Sequence, residues 1–161
     1  MQKGVSFFLT ILFILPLILF SVESSAQEIE EKMVVVKGTD DWKNTKIKLY
    51  PQDKVTIRAS GQICFSSQYC NIAKVDADGW DKNTYQADWP GDYAYCFDPL
   101  RQVNHAALIG NVGSDDFFIG KDANFTGKDG VLYLRVNDCS LTGDFGNSGQ
   151  FEVFISVKHF K

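Results

Sequence analysis

The sequence predicts an all-β domain, an antiparallel β-sandwich of the jelly-roll sort, and three observations carry that expectation. Four segments alternate polar and apolar residues with period two: Lys46 to Tyr50 (KIKLY), Lys54 to Ser60 (KVTIRAS), Val131 to Val136 (VLYLRV) and Gln150 to Val157 (QFEVFISV). Such alternation marks a strand with one buried face. Gly, Asp, Asn and Pro separate the apolar segments at short intervals, and no stretch longer than a turn or two has helical periodicity. Seven or eight short strands bounded in this way describe a sandwich.

At the N-terminus, Lys3 precedes an apolar run from Val5 to Phe20, broken only by Ser6, Thr10 and Pro16. A polar stretch ending in Ser24-Ser25-Ala26 follows. This order matches a secretory signal peptide with cleavage after Ala26. A membrane anchor is the competing reading, but a spanning helix needs ~20 apolar residues; this run is shorter and holds a proline. Residues 1–26 are therefore expected to be a signal peptide and residues 27–161 a single domain with no stable membrane span after cleavage, secreted or periplasmic.

The chain has 161 residues, with 16 Lys and Arg against 20 Asp and Glu, a formal net charge of −4. Removing residues 1–26 takes away Lys3 and Glu23, so the balance is unchanged. A mildly acidic surface without clustered Lys and Arg argues against nucleic acid as a partner. All four cysteines, Cys64, Cys70, Cys96 and Cys139, follow the signal segment, and export places them where disulfides persist. Four cysteines allow three pairings, and sequence does not choose among them; Cys64–Cys70 with Cys96–Cys139 is the favoured arrangement. The spacings lack the short pairs of structural zinc sites.

The strands are expected in this order. Lys32 to Lys37 is valine-rich and follows a short acidic leader, Gln27 to Glu31. KIKLY is separated from KVTIRAS by a Pro51-Gln52-Asp53 turn, and the second of these ends at Gly61, with Val55, Ile57 and Ala59 on one face. Ala106 to Ile109 and Asp116 to Ile119 each precede a glycine. The last two strands are VLYLRV and QFEVFISV, where Phe151, Val153, Ile155 and Val157 share a face. Between the strand that ends at Gly61 and the one that begins at Ala106, residues 64–104 form a long loop without periodicity. Three cysteines and many aromatics argue that it is ordered and shapes whatever site the domain has. Within it, Asp76-Ala-Asp78-Gly79 starts like a calcium loop, but the rest of an EF-hand is missing, so it reads as a tight acidic turn.

Val136 to Phe151 gathers Asn137, Asp138, Ser140, Thr142, Asp144, Asn147 and Ser148 with three glycines. Calcium takes six to eight oxygen ligands at roughly 2.3–2.6 Å, and such a loop can offer them; a polar hairpin loop uses the same residue types. Several pieces, in order, resemble the PA-IL-like family of bacterial calcium-dependent, galactose-binding soluble lectins. They are Tyr50-Pro-Gln-Asp-Lys-Val-Thr-Ile57 with Ala59-Ser60-Gly61, Ala107-Leu-Ile-Gly-Asn-Val-Gly113, Phe118-Ile-Gly120, Gly130-Val-Leu-Tyr-Leu-Arg-Val-Asn-Asp138 and Asn147-Ser-Gly-Gln-Phe-Glu-Val153. Together they cover most of Leu49 to Val157 outside the long loop.

The resemblance implies a galactose-binding-domain-like jelly roll with Ca2+ as cofactor. It implies that Asp138 and Asn147 are side-chain calcium ligands, that Phe65 supplies a backbone carbonyl, and that a further carbonyl comes from Thr142 or Gly143. The loop is one residue longer than the family's, and Gly146 stands where an acidic or amide ligand is common; Asp144 is the expected replacement. It also implies that two vicinal hydroxyls of a galactose-type sugar bind the calcium directly. Trp80, Trp89, Tyr93 and Tyr95 are the candidates for stacking on the sugar, against a packing role for the same rings. His105 reads as a framework residue, and a homo-oligomer is compatible with the resemblance.

The chain has no GxSxG or HExxH arrangement and only two histidines, His105 and His159. The expectation is a binding protein and not an enzyme. The alternatives are an exported interaction module that has lost sugar binding and a glycan-active hydrolase.

Overall fold

The computed structural model describes residues 27–66, 69–81, 98–138 and 147–160. Among them are nine strands: β1 (Glu28–Lys37), β2 (Lys43–Leu49), β3 (Lys54–Cys64), β4 (Lys74–Val75), β5 (Leu108–Val112), β6 (Asp115–Phe118), β7 (Asp122–Thr126), β8 (Gly130–Val136) and β9 (Ser148–His159). They form two antiparallel sheets. One runs β1-β9-β3-β4, with β7 also paired to β3; the other runs β2-β8-β5-β6. The all-β sandwich is therefore the fold.

The alternation places the core between the sheets. Val55 and Ile57 of β3 and all four predicted residues of β9, Phe151, Val153, Ile155 and Val157, are buried against Ile47, Leu49, Leu132, Leu134 and Leu108 from the opposite sheet. β2 buries Thr45, Ile47 and Leu49 with period two and carries a bulge. Register with β8 shifts between Asn44 and Lys48, Lys46 has φ 62, and Thr45 Oγ1 both donates to Leu132 O (2.7 Å) and accepts from Ile47 N (3.1 Å).

Several boundaries differ from the sequence expectation. The acidic leader is not separate: β1 starts at Glu28 because its ladder with β9 continues to His159. β3 passes through Gly61 to Cys64, since Gly61 at φ +95 opposes Phe151 without leaving the sheet. β5 and β6 are each displaced from their expected bounds, and β7 (DANFT) escapes notice because only Ala123 and Phe125 are half-buried. The long loop contains β4, and its Trp80 forms an isolated bridge with His105 just beyond it.

The Asp76–Gly79 segment is a tight acidic turn. Asp76 Oδ1 accepts from Asp78 N (3.0 Å), and Lys121 Nζ lies 3.2 Å from Asp76 and 2.7 Å from Asp78. The lysine neutralises these carboxylates and holds the Asp78 carboxyl below its ordinary value, outweighing the opposing desolvation. Cys64 and Cys70 are disulfide-bonded. Cys96 and Cys139 lie outside the described residues.

A candidate cation site at one end of the sandwich

Three strands from the two sheets end together. Cys64, the last residue of β3, opposes Ser148, the first of β9, so Phe65 and Asn147 leave the same rung. In the other sheet Val136 closes β8 opposite Leu108, which delivers Asn137 and Asp138 to the same end. Gly149 makes the entry into β9 possible. It has φ +84, and a Cβ there would stand 2.3 Å from Gln62 O, so the NSG motif owes its glycine to a close backbone crossing.

Asp138 is the centre of the cluster. Its side chain is 11% exposed. One carboxylate oxygen accepts from Asn147 Nδ2 at 2.6 Å, and the other lies 3.7 Å from His105 Nε2. Asn147 Nδ2 also donates to Gly38 O (3.2 Å), whereas Asn147 Oδ1 is buried and has no hydrogen-bond partner among the described residues. His105 passes its other nitrogen, Nδ1, to Asp98 at 2.9 Å. Its ring stands edge-on to Phe65, 4.8 Å between centroids, and Phe65 in turn stands edge-on to Trp80 at 5.3 Å.

Two buried residues hold this end in place. Arg135 Nη2 donates to Asp138 O (2.8 Å), while Nη1 lies 3.3 Å from Asp41 and the guanidinium covers the Trp42 ring. Asn137 ties the segment that carries Asp98 and His105 to the end of β8. Its Nδ2 donates to Leu100 O and Asn104 O, both at 3.1 Å, and its Oδ1 accepts from Leu100 N at 2.9 Å.

Burial of His105 favours its neutral form, but the hydrogen bond to Asp98 and the charges of Asp98 and Asp138 together outweigh it, so the imidazole pKa is raised. Asp98, His105 and Asp138 bring ligand atoms within 4.8 Å of one another, the one such group among the described residues.

The donor set fits a hard cation. A carboxylate and an amide oxygen that is buried and, among the described residues, unsatisfied are oxygen ligands of the kind calcium uses. A buried acceptor lacking a donor is costly unless something positive faces it. Of the sequence-derived ligands, the structure brings Asp138, Asn147 and the Phe65 segment to one place; Thr142, Gly143 and Asp144 lie outside the described residues. Trp80 belongs to the same cluster through Phe65, half-buried, with its N–H donating to His105 O along the backbone (2.7 Å). Trp89, Tyr93 and Tyr95 lie outside the described residues. Sequence reasoning missed Asp98 and Gly38 and left His105 as framework; proximity of the ring to the ALIG strand was the one local hint.

Among solved structures the chain resembles the N-terminal domain of EclA, described as a PllA-like lectin. The two are 18% identical and superpose with a TM-score of 0.56 over 78% of this chain and 94% of that one. The likeness is one of fold. No protein-family model matches the chain, and no curated protein sequence does.

Proposed function

We propose that this protein is an exported, calcium-dependent carbohydrate-binding protein of the PA-IL-like kind. The observation that carries the reading is the meeting of Asp138, Asn147 and the Phe65 segment at one end of the sandwich, with Asn147 Oδ1 buried and, among the described residues, unsatisfied. The fold shared with a lectin domain supports it, and so does the signal-like N-terminus. Asp138 and Asn147 would hold the ion, with Asp144 supplying the carboxylate that Gly146 cannot. Bound calcium would supply open coordination positions at which two vicinal hydroxyls of a galactose-type sugar replace water. Arg135 and Asn137 fix the backbone behind the ligands, and Asp98 orients His105 against Asp138.

A second reading rests on His105. When His105 is protonated, its ring between Asp98 and Asp138 offers positive charge of the protein's own, so the cluster can close without a metal and the domain can act as an interaction module. A glycan array run with calcium and again with a chelator separates the two, alongside calorimetric titration of calcium. Sugar signal in calcium alone supports the first reading. Calcium uptake without any sugar signal, or no uptake at millimolar calcium, removes it in favour of the second.

A further inference from the structure

β1 closes one side of its sheet. It pairs with β9 along its whole length, and among the described residues no strand pairs its outer side. Gly38 N donates to Gly149 O, the residue opposite it when the β1–β9 register is continued. In an antiparallel ladder, pairs that exchange hydrogen bonds alternate with pairs that do not. Glu30, Lys32, Val34 and Val36 therefore direct their peptide groups to β9, and Ile29, Glu31, Met33 and Val35 direct theirs outward. Lys37 agrees with this phase: on the outer side its N–H donates to Asp40 Oδ2 and its C=O accepts from Asp40 N, each at 3.1 Å. The outward set also carries the exposed apolar side chains, Ile29 at 61%, Met33 at 58% and Val35 at 39% exposure, with Met33 beside Phe154 of β9.

We propose that the outer edge of β1 pairs antiparallel with β1 of a second copy of this chain, across a twofold axis at Met33. A long apolar edge with unpaired peptide groups is a template for strand addition, and a twofold contact must be self-complementary. Register follows from hydrogen-bond phase and charge. Odd residues must meet odd residues, because only they have peptide groups facing outward. Centring on Met33 sets Glu31 opposite the partner's Val35 and Lys32 opposite the partner's Val34, with no like charges facing. Centring on Lys32 or Glu31 opposes two ammoniums or two carboxylates. Asp40 already holds the peptide groups of Lys37, so pairs that include Lys37 do not form. Centring on Val34 then leaves two hydrogen-bonded pairs, Met33 with the partner's Val35 and its mate, whereas centring on Met33 leaves three and gives up only the end pairs of Ile29 with Lys37. The Met33 register also joins Met33, Val35 and Phe154 of both copies into one apolar surface on the outer face of a continuous sheet.

The pairing does not depend on the carbohydrate reading, and its test uses no sugar or calcium. The protein is expressed from its full sequence, its N-terminus read by mass spectrometry, and its mass measured by sedimentation. A mass twice that of one chain is expected. Met33→Pro removes an N–H that β9 does not use, a position where an edge strand tolerates proline; Met33→Lys leaves the backbone intact and sets two like charges at the axis. Both should sediment as monomers with wild-type circular dichroism, and Met33→Lys decides the matter if the proline variant fails to fold. Met33→Cys should give a disulfide-linked dimer on a non-reducing gel. A wild-type monomer at ~100 µM, where mass action favours association, overturns the proposal; so does a dimer that survives in Met33→Lys.

Discussion

Asn137→Ala tests how the candidate site is built. The side chain is completely buried; its amide N–H groups donate to Leu100 O and Asn104 O, with Val103 O as a longer third acceptor, and its oxygen accepts from Leu100 N. Each such bond is worth about 0.5–1.5 kcal/mol net, and buried partners that lose theirs add to the cost, so the substitution should destabilise by about 2–4 kcal/mol. For a domain of this size that is a fall in Tm of about 8–15 °C. The backbone bonds of Asn137, to Ala106 and Ala107, are indifferent to the side chain and should keep β8 in place. Damage should therefore concentrate on the segment carrying Asp98 and His105, and scanning calorimetry should be paired with a calcium titration. A Tm within about 2 °C of wild type, together with unchanged calcium affinity, would show that Asn137 does not clamp that segment.

Calcium affinity itself should fall at least ~10-fold in Asp138→Asn and clearly in Asp144→Ala, measured by isothermal titration; an unchanged Asp144→Ala rejects that residue as a ligand. Gly149→Ala should lose roughly 1–3 kcal/mol in chemical denaturation, because a Cβ would meet Gln62 O at 2.3 Å in a left-handed backbone. Replacing Cys64 and Cys70 together by Ser opens a bridge with a sequence separation of 6 and should cost about 2 kcal/mol in the same assay.

In chelator, stability should also depend on His105. Its folded pKa lies above the unfolded value of 6.5 because Asp98 and Asp138 outweigh burial. The stabilisation is then fully present below that unfolded value and is lost as pH rises through the folded one. His105→Gln should flatten this part of the profile of unfolding free energy against pH, and a wild-type slope in the variant refutes the assignment.

Much of the sandwich was legible in the sequence because the pleat itself imposes period two. β3, β8 and β9 each bury one face, so Val55, Ile57, Leu132, Leu134 and the Phe151–Val157 set announce themselves. Where burial is partial or the strand is short, as in β7 and β4, the same rule leaves little trace, and at the start of β1 the charged residues hide a ladder that β9 completes.

The candidate site divides in the same way. Asp138 and Asn147 flank one loop, and their residue types suggest metal chemistry from the sequence. Asp98, His105 and Gly38 join them only when the chain is folded: Gly38 reaches Asn147 across 109 residues, through the β1–β9 register, and His105 reaches Asp138 through the Asn137 anchor. Local alternation fixes which side chains point inward; which distant ends coincide depends on strand order and register, which no single segment encodes.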